Sequence, residues 1–235
     1  MKVTILIPTY NEEKTILEIL NRVNNEIKKI EKFNFEIIVI DDFSNDKTLE
    51  FLEKNIGLYN RLIKNEKNYG KGYAIRKALE NIETDIVLIQ DADLEYNPSD
   101  YNILLRPFLD FDADVVYGSR FRAGQYSRVL YFWHSVANFF ITLFSNFFTN
   151  LNLTDVETGY KVFKYQKLKE INLTENCFTF EIEVTQKLSR LKPAINFYET
   201  GINYFGRSYS DGKKIGLKDA FKAFWCILKY GIFSK

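Results

Sequence analysis

Cysteine is scarce. Cys177 and Cys226 lie far apart and form neither a CxxC nor a Cys/His pattern, which argues against a zinc site or a disulfide framework and for a reducing compartment. An excess of either charge is also missing: 32 Lys and Arg stand against 31 Asp and Glu, so no broad positive field draws in nucleic acid. The start of the chain is read as carrying no secretion signal, because the apolar run from Val3 to Ile7 is too short for an h-region. The sequons at Asn152 and Asn172 are therefore read as chance matches. No repeat, low-complexity tract or linker divides residues 1–235, which are read as one unit. Glycine fingerprints are lacking too. The segment NYGKGYAI at 68–75 has neither the GxGxxG spacing of a dinucleotide fold nor the GKS/T ending of a P-loop, which sets aside a nicotinamide-dependent oxidoreductase.

What is present is an apolar fraction of 46% and an aromatic fraction of 16%, with 21 Phe and 15 Tyr. That suits a thick core or a face that meets lipid. The first half alternates β-rich runs with helical patterns, the signature of a mostly parallel α/β sheet flanked by helices. KVTILIP, FEIIVIDD, RLIKN, DIVLIQDAD and ADVVYGSR read as strands. Between the first two, Ile16, Leu20, Val23, Ile27 and Ile30 make one helix face, with Thr9 and Glu12 as a capping box. GKGYAIRKALENI gives a second helix. A third starts at Asn97-Pro98 and stops at Pro107.

This order puts Pro8 to Glu12, Asp41-Asp42 and Asp91 to Glu95 at the carboxyl ends of strands, the edge where open α/β sheets bind ligands. Asp91 and Asp93 bring two like charges together at the end of an apolar strand, a cost that a hard divalent cation such as Mg²⁺ or Mn²⁺ would relieve. A solvated turn is the plainer alternative for an isolated Asp-x-Asp. Asp42 can accept from a base or ribose, or simply cap a turn; Lys71 can meet phosphate or merely open a helix; Arg120 is a phosphate clamp or a surface ion pair.

Residues 129–153 contain no Asp, Glu, Lys or Arg and many aromatics. A spanning helix, an interfacial helix and a core helix all fit, although His134, Asn138, Ser145, Asn146 and Asn150 interrupt a span. From Arg207 to Lys235 the chain carries seven Lys/Arg against two Asp. There Leu217, Phe221, Phe224, Trp225 and Leu228 recur at helical spacing, giving a C-terminal amphipathic helix that rests on a membrane or on its own domain.

PTYNE at 8–12, VIDDFSNDKT from Val39, NYGKG at 68–72, DADLE at 91–95 and GSR at 118–120 together resemble the family 2 glycosyltransferases of GT-A fold. DVETGYKVF at 155–163 resembles an element of dolichol-phosphate mannose synthase and related polyprenyl-phosphate sugar transferases. The resemblance covers nearly the whole chain and is loosest in its C-terminal third. It departs at Phe43 and Lys47, where glycines are common, and at Glu95, where the mannose synthases often carry Gln.

The resemblance implies a nucleotide-sugar-binding half at 1–122 and an acceptor-binding half at 123–235. Pro8, Tyr10, Glu12, Asp42, Lys71, Asp91 and Arg120 would hold a GDP- or UDP-hexose, and Asp91, Asp93 and Glu95 would gather around Mg²⁺ or Mn²⁺. Asp93, Arg120 and Asp155 would be catalytic. Arg128, Thr158, Gly159, Lys161, Arg207 and Lys214 would serve the acceptor or phosphate loop. The expected reaction is inverting transfer to a polyprenyl phosphate by a cytoplasmic, peripheral enzyme on the membrane face, or one held there by a membrane partner subunit, with no nucleic acid involved. Two alternatives stay open: a soluble enzyme acting on a glycan hydroxyl with Asp155 as base and Glu157 second, and a non-catalytic nucleotide-sugar-binding scaffold.

Overall fold

The computed structural model describes residues 1–122, 129, 131–207 and 217–233. Seven strands form one sheet: β1 (Lys2–Thr9), β2 (Asn34–Asp41), β3 (Arg61–Lys64), β4 (Ile86–Ile89), β5 (Val115–Ser119), β6 (Lys161–Lys164) and β7 (Phe197–Gly201), in the order β3-β2-β1-β4-β6-β5-β7. All pairings are parallel except those of β6, which runs against both β4 and β5. The five strands read from the sequence are all present. β6 and β7 are additions to that reading: KVFK has a lysine at each end, and FYETG is only half-buried along its length, so neither shows an apolar run.

Helices cover both faces, which is why β1 is buried from Val3 to Ile7 and reads as an unbroken apolar run. Val3, Ile5 and Ile7 pack with α1 (Ile16–Ile27) and α4 (Tyr101–Asp110). Leu6, on the other face, packs with α3 (Lys71–Leu79), α7 (Phe180–Leu188) and α8 (Leu217–Leu228). The remaining α-helices among the described residues are α2 (Thr48–Lys54), α5 (Phe132–Thr149) and α6 (Tyr165–Lys169).

Two local expectations are corrected. The capping box does not form: the Glu12 amide donates to Thr48 Oγ1 at 2.8 Å, Thr9 Oγ1 is buried with no hydrogen-bond partner among the described residues, and α1 begins only at Ile16. Asn11, at φ 54°, turns the chain between them. Pro107 does not stop its helix. Asn97 does cap the first turn, accepting from the Ser99 amide, but α4 runs on to Asp110 before the amides of Phe111 and Ala113 close on the Pro107 carbonyl.

The charge-free segment becomes α5, about 27 Å long at 1.5 Å per residue. No helix among the described residues is long and apolar enough to cross a membrane. Its amphipathicity is inverted. Asn138, Thr142, Ser145 and Thr149 are buried, while Phe132, Trp133, Phe139, Phe140, Leu143 and Phe147 are exposed.

Candidate active site at the carboxyl edge of the sheet

Parallel pairing aligns the ends of β1, β2, β4, β5 and β7 at one edge, and the reversed β6 delivers its preceding loop, residues 155–160, to the same place. The acids after β4 sit there. Glu95 accepts from the Tyr204 hydroxyl and the Arg207 amide, both at 2.7 Å. The Arg207 side chain enters between carboxylates: Nη2 lies 2.9 Å from Asp93 Oδ2 and Nη1 3.5 Å from Glu12. Tyr10 stands at the rim, where its hydroxyl accepts from Asn45, and Pro8 lies opposite Ile40 in the β1–β2 register.

Asp91 is turned elsewhere. Its Oδ1 pairs with Lys71 Nζ at 2.6 Å, and Lys71 also reaches Glu181 at 2.8 Å. Gly159 faces the other carboxylate oxygen so closely that a Cβ there would collide with Asp91 Oδ2; only glycine fits. Asp42, nearly fully buried, accepts from Asn65 Nδ2 and from the amides of Tyr69 and Gly70, at 2.7, 3.0 and 2.6 Å. It therefore shapes the NYGKG loop. Gly70 adopts φ 102°, a conformation open to glycine, and presents Lys71 at the start of α3.

On the far side Arg120 grips Asp155, which is completely buried. Nε and Nη2 take the two carboxylate oxygens at 2.6 and 2.7 Å, and a third bond joins Nη2 to Asn138 Oδ1 on α5 at 3.1 Å. Burial opposes the arginine's charge, but the Asp155 carboxylate outweighs it and lifts the guanidinium pKa well above normal. Burial raises the carboxyl of Glu157, with Arg120 pulling the other way. Thr158 Oγ1 donates to the Gly118 carbonyl. Lys161 points inward rather than to the site surface: it is fully buried and spends its ammonium on the carbonyls of Val156 and Thr158 and on Glu181. Arg128 and Lys214 lie outside the described residues.

Among the described residues no three His, Cys, Asp or Glu side chains are already arranged as a metal-binding set. The donor chemistry nevertheless suits a hard divalent cation. Burial, then the neighbouring charges of Asp91 and Glu95, push the Asp93 carboxyl up to about 7 despite Arg207, so ionising all three acids together is costly without a further cation. Oxygen donors in surplus are what Mg²⁺ or Mn²⁺ takes. Sequence reading missed Tyr204, Asn65 and Glu181. The last had a signal, since FEIEV places two glutamates inside an otherwise apolar helical run.

Comparisons with known proteins identify the family and the fold. The Glycosyl transferase family 2 profile matches residues 4–171. The dolichol-phosphate mannosyltransferase of Pyrococcus furiosus is 31% identical over 125 residues, 53% of this chain but only 34% of that enzyme. The UDP-N-acetylglucosamine–dolichyl-phosphate N-acetylglucosaminyltransferase of Methanococcus voltae is 25% identical over 95% of this chain and 94% of its own length. In structure, glucosyl-3-phosphoglycerate synthase from Mycobacterium tuberculosis, solved with Mn²⁺, UDP and glucosyl-3-phosphoglycerate, superposes with a TM-score of 0.72 at 19% identity, covering 97% of this chain and 79% of that one. The fold is GT-A-like, and the chain belongs to glycosyl transferase family 2 and is a glycosyltransferase.

Proposed function

We propose that the protein transfers a hexose, with inversion, from a GDP- or UDP-sugar to a polyprenyl phosphate at the cytoplasmic face of a membrane, where it is held peripherally or by a membrane partner subunit. One observation carries the choice of acceptor: Asp155, the residue best placed by sequence to be a base, has both oxygens bound by Arg120 and no exposed surface. With both oxygens occupied and no surface open, this carboxylate has no atom free to meet an incoming hydroxyl. A lipid phosphate oxygen is already ionised and needs no base. In this reading that oxygen attacks the anomeric carbon and the bond to the donor diphosphate breaks, the electron pair leaving with the diphosphate. A divalent cation held by Asp91, Asp93 and Glu95 would supply charge stabilisation to that leaving group. Arg207, already among those acids, is within reach of the same charge.

The lipid reading also draws on α5, which bonds to Arg120 through Asn138 while turning its aromatic side outward. With α8 it lines an apolar groove of about 610 Å³ formed by Phe140, Leu143, Phe144, Phe147 and Phe224. The names of the Pyrococcus and Methanococcus relatives point to dolichyl-type acceptors. The test is transfer from labelled GDP- and UDP-hexoses, with Mg²⁺ or Mn²⁺, to a short polyprenyl phosphate in detergent. Labelled lipid is the expected product; transfer only to glycan hydroxyls would discard the reading. Glu157, whose carboxyl burial raises and which, unlike Asp155, is only partly buried, is the observation that keeps a hydroxyl acceptor as the second reading.

A further inference from the structure

Helix α7 is buried from Phe180 to Gln186, yet it contains Glu181 and Glu183. Glu183 serves its own neighbourhood, where it accepts from Thr174 and the Glu175 amide and pairs with Lys187. Glu181 has a different setting. Its two oxygens face two lysines from different elements, Lys71 of α3 at 2.8 Å and Lys161 of β6 at 2.9 Å. Lys71 continues to Asp91 at 2.6 Å, and Lys161 to the carbonyls of Val156 and Thr158 at 2.8 and 2.5 Å. Four charges therefore alternate, Asp91, Lys71, Glu181, Lys161, and sum to zero.

We propose that Glu181 is a positioning residue: through Lys71 it sets the Asp91 carboxylate, and through Lys161 it sets the 155–159 loop against that carboxylate. The inference rests on Asp91 serving the donor site as described above. Two features make Glu181 the link. One carboxylate oxygen of Asp91 is held by Lys71, which pairs with Glu181, and the other lies against Gly159, next to the Thr158 carbonyl held by Lys161, the second lysine paired with Glu181. Charge is the second. Without Glu181 the Lys71 ammonium would turn wholly to Asp91 and the quartet would carry a net positive charge beside the acids, both of which oppose a cation there. Burying two lysines costs stability unless they are paired, and the single carboxylate that pairs both also fixes the spacing of the donor-side acid from the acceptor-side loop.

The experiment is Mn²⁺ titration of the full chain followed by electron paramagnetic resonance, with UDP or GDP and without acceptor, so that no turnover is involved. Glu181→Gln keeps the shape and removes the charge; it is expected to weaken Mn²⁺ binding about tenfold, the scale of one charged hydrogen bond. In a Lys71→Met background the same substitution is expected to change binding by at most about twofold, because the connection to Asp91 is gone. A folded Glu181→Gln protein that binds Mn²⁺ as the native one does, or a tenfold effect that persists in full without Lys71, overturns the proposal and leaves Glu181 a purely structural pair. If Glu181→Gln fails to fold, Lys161→Met/Glu181→Gln removes the stranded lysine, and weakened Mn²⁺ binding there supports the proposal while native-like binding refutes it. Native protein that binds neither Mn²⁺ nor nucleotide refutes the donor-site reading itself, and this inference with it.

Discussion

Arg120 clasps Asp155 with three donors, Nε and its own backbone amide on Oδ2 at 2.6 and 3.0 Å and Nη2 on Oδ1 at 2.7 Å. The pair closes the gap between the end of β5 and the loop before β6, and Asn138, which accepts from Arg120, ties it to α5. Removing the aspartate strands a mostly buried guanidinium. Asp155→Asn is expected to cost about 3 kcal/mol of stability, a fall of roughly 10 °C in Tm for a chain of this size. With a lipid phosphate acceptor, its kinetic effect should fall on the acceptor: KM for the lipid rises about tenfold while donor affinity by calorimetry holds within about twofold. A collapse of kcat at unchanged acceptor KM would instead mark Asp155 as a base and favour the hydroxyl acceptor.

Asp93 supplies a pH signature. Burial and the adjacent carboxylates raise its pKa to about 7 in the folded protein, far above an unfolded aspartate's 3.8 or so. The native state then binds the proton more tightly than the unfolded chain, so this group's contribution is full in acid and is lost as pH rises from about 4 to about 7. Metal-free protein is expected to lose Tm across that window more steeply than Asp93→Asn, which cannot ionise. Mn²⁺ added at pH 7.5 should restore the native protein and do little for the variant. Parallel melting curves against pH for the two would show that the acids are not in electrostatic conflict.

Much of this was legible in the sequence because β1, β2, β4 and β5 each carry an apolar run buried on both sides, and Asp41-Asp42 and Asp91 to Glu95 stand at the ends of β2 and β4. The partners were not. Arg207 meets Asp93 across 114 positions, and nothing local to either residue encodes that. Lys161 sits in a motif that invites a phosphate reading, yet its ammonium is turned into the core by Glu181, whose own element is separated from it by a loop and α6. Asp42 has the look of a nucleoside acceptor and is occupied by the backbone of the loop it organises. In each case residue type and spacing identified the neighbourhood, and long-range ion pairing decided which atoms face it.

Gly159 offers a steric test of the same site. A methyl group there would collide with Asp91 Oδ2 and meet the Tyr96 ring at 2.9 Å, and Lys71 prevents Asp91 from simply swinging away. Gly159→Ala is expected to displace the carboxylate and lower kcat/KM about 100-fold, the cost of misplacing a reacting geometry by an ångström or so. Gly57→Ala, where nothing lies within 4 Å of the new atom, is the control and should leave activity unchanged. Equal activity of the two variants would remove Asp91 from the working site.

The outward aromatics of α5 and α8 make the membrane reading measurable. Phe147, Trp133, Phe221 and Trp225 are each at least 63% exposed, a cost in water that a bilayer interface would relieve. Replacing Phe147 or Trp225 by glutamate removes a large apolar side chain and adds a charge. Each is expected to lower partitioning onto anionic liposomes by at least about tenfold, the minimum for withdrawing one aromatic from an apolar phase. Donor binding in solution should be unaffected, because neither side chain belongs to the acid cluster. Ile56→Glu, an equally exposed position in the turn after α2, controls for the change in charge alone. Flotation that is unchanged by the aromatic substitutions, or absent in the native protein, would separate the enzyme from the bilayer and leave these helices to meet a partner subunit.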